Sequence, residues 1–234
     1  MAGVRHRPGS YNPACSQWVR HEELVRSVPP GLASTAKVLD VGCGGGYLID
    51  KLRRAYPDWD YHGCDWLANP PDDYAFRYTK VDLNKGFLES YGDQSFDVTF
   101  CSEVLEHLEN PARMLREMAR VTRDNGLLML SLPNSWNVFE RLRYLASANF
   151  KRYRSERKSG PHGHIGFFTS DILQSLADRA GLDIVSICGG HMVFAGVILP
   201  WIKSKMLSYN LYVILRKGTS KNERPSDAGF GIDL

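Results

Sequence analysis

The sequence has no apolar run of the roughly 18 residues that a membrane-spanning helix requires, no internal repeat and no low-complexity block. Residues 1–13 are basic but lack an apolar core of signal-peptide length. These absences exclude a transmembrane protein and predict a cytoplasmic one, with peripheral membrane contact left open. Cysteine is sparse: the five (Cys15, Cys43, Cys64, Cys101, Cys188) are odd in number and scattered, several within apolar runs. That excludes a disulfide framework and predicts reduced thiols that behave as small hydrophobes. There is no strong excess of one charge, since 29 basic against 26 acidic residues leave a net charge of +3. So weak a field argues against nucleic acid as the main partner.

What is present is a rhythm. The 234 residues suffice for one full core but not for two ordinary catalytic domains. A leading helix is expected over 16–28, where Trp18, Val19, Leu24, Val25 and Val28 recur at helical intervals before Pro29-Pro30-Gly31. Strands are expected at 37–41, 61–64, 76–81, 96–101 and 127–132, with helices at 47–56 and 111–121 between them. Alternation of this kind predicts a parallel sheet. Thr169-Ser170 suits the cap of a helix over 171–180 that stops at Gly181, and strands at 183–188 and 209–216 follow as an antiparallel pair closing one sheet edge. Asn69-Pro70-Pro71 leaves the second crossover helix short or missing. Residues 1–35 read as a leader with its helix, 36–217 as the domain and 218–234 as a flexible tail.

The chemistry concentrates at Val38-Leu39-Asp40-Val41-Gly42-Cys43-Gly44-Gly45-Gly46. An apolar strand with an acid near its end runs into a glycine loop that opens a helix. Such a loop lets a ligand approach the main chain, and the helix start near Tyr47 aims unpaired N–H groups at an incoming carboxylate or phosphate. Asp65 ends the second strand about 23 residues past Gly42, where a carboxylate can accept both ribose hydroxyls. A dinucleotide site is the rival, but Tyr47 replaces the third glycine of that fingerprint, and Asp40 would set negative charge beside a pyrophosphate. An ammonium group would welcome that charge. Trp66 could stack beside a base or cover an apolar edge.

The run 38–46 resembles the first motif of class I S-adenosylmethionine-dependent methyltransferases. Val81-Asp82-Leu83, the segment from Phe96 to Leu108, and Asn125-Gly126 through Pro133-Asn134 resemble the family's third, fourth and fifth strand motifs, so the likeness spans roughly residues 36–217. It implies a Rossmann-like, doubly wound α/β fold: a seven-stranded sheet, mostly parallel with the last strand antiparallel, and helices on both faces. It also implies S-adenosyl-L-methionine as cofactor. Gly42 and Gly44 would contact the methionine carboxylate, Asp40 its amino group and Asp65 the ribose. Asp82 and Leu83 would meet the adenine, with Trp66 and Cys101 completing the cofactor set.

A sulfonium methyl is already activated, so transfer mainly needs an aligned acceptor and removal of its proton. Glu103, Glu106, His107, His162 and His164 are the candidates, and His107 and His164 are the expected catalytic pair. Glu106 and His107 could equally finish a short helical turn before Asn110-Pro111. Glu103, Glu106 and His107 at i, i+3 and i+4, joined by His164, could also form a divalent-metal set. That set resembles the Glu-x-x-Glu-His segment of small-RNA 3′-end methyltransferases and some ubiquinone-biosynthesis O-methyltransferases, although the same segment occurs in many metal-free methyltransferases.

Residues 134–165 mix Arg141, Arg143, Lys151, Arg152, Arg154, Arg157 and Lys158 with aromatics and read as an acceptor-site lid or as a solvated helix face. Residues 190–206 form an apolar excursion ending in Trp201, Lys203 and Lys205. It suits a membrane surface, an apolar acceptor's pocket or a buried edge connection. The Pro-Asn after the fifth strand and His164 to Thr169 resemble methyltransferases of envelope-glycan and lipid-linked metabolite pathways, and MetW-type proteins. The expected activity is therefore methyl transfer from S-adenosylmethionine to a small or lipid- or glycan-linked acceptor, on oxygen. The alternatives are a methyltransferase-like partner subunit without catalysis and a metal-assisted RNA 2′-O-methyltransferase.

Overall fold

A computed structural model describes residues 17–66, 76–85, 88–147, 164–194, 197–199, 201 and 203–218. The second crossover, His162, most of the basic stretch after Ser147, parts of the 190–206 excursion and the tail beyond Gly218 lie outside the described residues.

The chain runs through α1 (Gln17–Arg26), β1 (Lys37–Val41), α2 (Tyr47–Ala55), β2 (Asp60–Asp65), β3 (Arg77–Lys80) and β4 (Phe96–Ser102). A single 3₁₀ turn (Leu105–His107) precedes α3 (Pro111–Val121), β5 (Thr122–Pro133), α4 (Val138–Ser147), α5 (Ser170–Arg179) and β6 (Leu182–Gly189). A small hairpin of β7 (Met192–Phe194) and β8 (Val197–Leu199) leads to β9 (Asn210–Lys217). Seven strands form one sheet in the order β3-β2-β1-β4-β5-β9-β6. β1 to β5 pair in parallel, and β9 runs antiparallel to both β5 and β6. The last two strands do form an antiparallel pair, but β9 enters between β5 and β6, so β6 makes the edge.

Side chains alternate across each strand and so build two cores. Val38, Val98, Phe100 and Tyr212 face α1 and α2, where Leu24, Leu48, Ile49 and Leu52 are buried. Leu39, Val41, Phe96 and Leu128 face α3 and α5, which contribute Met114, Leu115, Met118, Leu173 and Ala177. Each fully buried Leu or Ile contributes about 1.5–3 kcal/mol. The helix ends follow local rules. Asn110 Oδ1 accepts the Arg113 N–H at 2.9 Å at the start of α3, and Thr169 caps α5 through the Ile172 N–H. Gly181, at φ +69°, ends α5.

The described cysteines, Cys43, Cys64, Cys101 and Cys188, are all unpaired thiols. No helix among the described residues is long and apolar enough to cross a membrane.

Candidate active site

The glycine loop hangs from β2 as well as from β1. Cys64 C=O accepts the N–H groups of Gly42 and Cys43 at 2.8 and 3.1 Å. Gly42 has φ +76°, and a Cβ there would run into the Val104 side chain. Gly44 has φ +52°, and a Cβ there would meet nothing within 4 Å, so a ligand can approach this turn closely. Asp65 fastens the loop: Oδ2 accepts the Gly44 N–H at 2.8 Å and Oδ1 accepts the Trp66 N–H at 2.7 Å.

Asp40 and Asp65 are both buried and both line one cavity of about 780 Å³ at the carboxyl edge of the sheet. Burial, aided by the neighbouring Asp65 charge, pushes the Asp40 carboxyl up to about 7. This cavity adjoins a second of about 310 Å³, lined by Asp82, Leu83, Asn84 and Leu108. Gly42, Asp65, Trp66, Glu103, Val104 and His107 border both, so the two form one crevice. Asp82 caps its own turn by accepting the Asn84 N–H at 3.1 Å, and Trp66 is 62 % exposed at the rim.

After β4 the chain turns sharply at Glu103, which takes φ +56°. Its N–H is held by Ser131 C=O, and its carboxylate accepts from Arg20 Nη1 (2.8 Å), Ser131 Oγ (2.8 Å) and Asn210 Nδ2 (2.7 Å). Glu103 thereby ties α1, β5 and β9 together. The 3₁₀ turn then buries Glu106 completely, and its carbonyl accepts the N–H groups of Ile165 and Gly166, both at 2.8 Å. That clasp brings His164 to His107: their ring centroids lie 4.7 Å apart at 74°, and their Nε2 atoms stand 3.9 and 4.0 Å from Glu106 Oε1. Both histidines line the large cavity, with the buried carboxylate behind them.

The comparison with known proteins fits this arrangement. A methyltransferase-domain family model matches residues 17–187. The chain belongs to the class I S-adenosylmethionine-dependent methyltransferase family. It is 27 % identical over 164 residues to the ubiquinone biosynthesis O-methyltransferase of Colwellia psychrerythraea, covering 66 % of this chain and 64 % of that one. It is 34 % identical over 119 residues to a "probable S-adenosylmethionine-dependent methyltransferase" of Mycobacterium tuberculosis, covering 50 % and 43 %. The chain thus spans less than two thirds of the length of these relatives. The fold matches that of a SAM-dependent methyltransferase from Archaeoglobus fulgidus with a TM-score of 0.63 at 18 % identity, over 86 % of this chain and 95 % of that one.

Within this methyltransferase domain, most residues expected from the sequence converge on the crevice. Asp40, Gly42, Gly44, Asp65, Trp66, Asp82, Leu83, His107 and His164 all line it. Cys101 does not: it is fully buried in mid-sheet between Val41 and Leu130, where burial pushes its thiol well up, and it borders neither cavity. The four-residue metal set is not assembled as expected. The helical turn begins only at Leu105, so Glu103 shares no helix face with Glu106 and His107, and it turns instead to Arg20, Ser131 and Asn210. Among the described residues, Glu106, His107 and His164 bring ligand atoms within 4.8 Å of one another.

Arg20, His21, Leu48 and Tyr209 also line the large cavity, though none was a candidate from the sequence. A signal existed for Arg20, since it stands one helical turn before the buried Leu24 and so must face inward. His21 is held neutral, pushed down to about 3 by burial and then by the Arg20 and Lys51 charges.

Proposed function

We propose that this chain transfers the methyl group of S-adenosylmethionine to a hydroxyl of a small or lipid-linked acceptor. The observation that carries the reading is the pair of buried carboxylates, Asp40 and Asp65, beside the glycine loop in the cavity that also holds His107 and His164. A cationic amino acid moiety is the natural complement of such a wall, and a dinucleotide pyrophosphate is not. When bound, the cofactor supplies an electrophilic methyl on a positively charged sulfur.

The chain's own groups do the rest. Asp40 receives the ammonium group, and Arg20, on the cavity wall beside the glycine loop, receives the carboxylate, the N–H groups of Gly42, Cys43 and Gly44 being engaged by Cys64 C=O and Asp65. Arg20 suits this because its Nε is buried without a hydrogen-bond partner while Nη1 is engaged by Glu103. Asp65 accepts the ribose hydroxyls, Asp82 and Leu83 border the adenine, and the exposed Trp66 ring covers it. The acceptor enters from the His164 side of the large cavity. His107 or His164 takes the hydroxyl proton as the oxygen–carbon bond forms and the carbon–sulfur bond breaks, and buried Glu106 stabilises the resulting imidazolium. The choice of oxygen is supported by the relative named for O-methylation.

Glu106, His107 and His164 also form a mixed oxygen and nitrogen donor set of a kind that fits a divalent ion. These three residues would hold it, and it would lower the acceptor hydroxyl's pKa. The proposed transfer does not depend on it.

The test is transfer of a labelled methyl group to a panel of hydroxylated small molecules and polar lipid extracts, with His107→Ala and His164→Ala alongside. Incorporation that the wild type supports and at least one of the variants loses, while cofactor affinity is kept in both, is the expected result. Transfer undiminished in both variants would overturn the assignment of the base.

A further inference from the structure

Glu103 follows β4 in the left-handed region, at φ +56°, a backbone that glycine or asparagine adopts more readily than glutamate. A glutamate under that strain points to a task for its side chain. The carboxylate is divided between two parts of the fold. Oε1 accepts from Ser131 Oγ at 2.8 Å and from Asn210 Nδ2 at 2.7 Å, and both of these residues are fully buried, on β5 and β9. Oε2 accepts from Arg20 Nη1 at 2.8 Å, reaching from the sheet to α1. One oxygen is thus moored to the sheet while the other holds the guanidinium. The two side chains are only 15 % and 13 % exposed, so salt screens their attraction little. Arg20 is held by its main chain as well, where its C=O accepts the Tyr212 hydroxyl at 3.3 Å.

The hold matters because of what surrounds it. Among the described residues that line the large cavity, Arg20 is the only lysine or arginine, and it shares that wall with the buried carboxylates Asp40 and Asp65. An unrestrained arginine would be drawn onto those acids and would cancel the charge that they present. A guanidinium is planar and rigid, so a bond at Nη1 also fixes the direction of the remaining N–H groups. Gripping a carboxylate with two parallel bonds depends on that direction. The N–H groups of Gly42, Cys43 and Gly44 already have acceptors in Cys64 C=O and the Asp65 carboxylate, so they do not stand in for a misplaced Arg20.

We propose that Glu103 is a positioning residue: it sets the Arg20 guanidinium for the carboxylate of an aminoacyl nucleoside and keeps it off Asp40 and Asp65. Glu103 acts through the arginine rather than as a base, and it governs how strongly the crevice prefers the aminoacyl form to the bare nucleoside. The inference rests on the cofactor reading given above.

The experiment is titration calorimetry of the full chain with S-adenosylhomocysteine and with 5′-methylthioadenosine, which has the same nucleoside and sulfur but no aminoacyl end. The readout is the ratio of the two affinities, because a general loosening of the fold weakens both and cancels. The wild type should favour S-adenosylhomocysteine. Arg20→Ala should cut that preference by about ten- to a hundredfold, and Glu103→Ala by roughly tenfold. In the double variant Glu103→Ala should remove nothing beyond the effect of Arg20→Ala. Arg20→Lys keeps the charge but not the planar fork and should fall with Arg20→Ala, a comparison that stands even if Glu103→Ala does not fold. A preference unchanged or raised in Glu103→Ala, a further loss in the double variant, or a wild-type preference in Arg20→Lys would overturn the proposal while leaving the nucleoside site intact. Binding of neither ligand by the wild type would overturn the cofactor reading and this proposal with it.

Discussion

Replacing Asp40 by Asn separates folding from ligand capture at one atom. Asp40 is 2 % exposed, and its carboxyl is pushed from an ordinary value of 3.8 up to about 7 by burial and by Asp65. Between those two values the unfolded chain gives up a proton that the folded chain keeps, so stability associated with this group falls as pH rises through that window. The difference of about three pKa units makes Asp40 a burden of about 4 kcal/mol near pH 7 and of little at pH 4. Asp40→Asn should therefore raise the melting temperature of the ligand-free protein at pH 7, by on the order of 10 °C for a chain of this size, and leave it nearly unchanged at pH 4. The same substitution should weaken S-adenosylmethionine binding, because the ammonium group loses its counter-charge. In the wild type that affinity should climb about tenfold per pH unit below pH 7 and then level off, while in the variant it should be flat. Scanning calorimetry and titration calorimetry on both proteins give the four numbers. A variant no more stable than the wild type at pH 7, or a wild-type affinity flat between pH 5 and 7, would refute this account of the carboxylate pair.

Other consequences concern residues around the crevice. Gly44→Ala should cost about 1–2 kcal/mol of stability for its left-handed backbone but far more in cofactor affinity, since its methyl enters open cavity space; denaturant titration and calorimetry together separate the two. Gly42→Ala should be the more destabilising, because its methyl meets Val104. Glu106→Gln should keep cofactor affinity, lower turnover roughly a hundredfold and displace the pH–rate profile; an unmoved profile would mean that the carboxylate does not act on the histidines. Glu23 is a stability node: burial alone would raise its carboxyl, but hydrogen bonds from His191 and Lys203 bring it down to about 2. Its contribution is present above pH 4.5 and is lost as pH falls toward 2, and Glu23→Ala should cost about 3–5 kcal/mol by taking from buried His191 the carboxylate that meets its main-chain N–H and its Nδ1, read by chemical denaturation.

How much of this was written in the sequence follows from how local each signal is. β1 was expected at 37–41 and is found there, because an apolar run against a glycine turn depends on nothing remote. The cap at Thr169 and the stop at Gly181 were legible for the same reason, whereas Asn110, read only as a turn, is found capping α3. The insertion of β9 between β5 and β6 was not, since strand order is decided by packing between distant segments. α4 was obscured by its own composition: a basic, aromatic stretch is compatible with several structures until its neighbours are known. Glu103 shows the limit most clearly. Its spacing from Glu106 and His107 suited one helical face, yet partners 83, 28 and 107 residues away draw its carboxylate elsewhere. Arg20 belongs to the crevice for the same non-local reason, because α1 packs across the sheet from a segment read as a leader.

The central claim is that the crevice takes an aminoacyl nucleoside. The most direct test is titration calorimetry of the protein with S-adenosylmethionine, S-adenosylhomocysteine and NADH in parallel, with Asp65→Ala and His164→Ala as controls. Binding of the first two ligands but not NADH is expected, lost in Asp65→Ala and kept in His164→Ala. Binding of NADH in their place, or equal losses in both variants, would contradict the account.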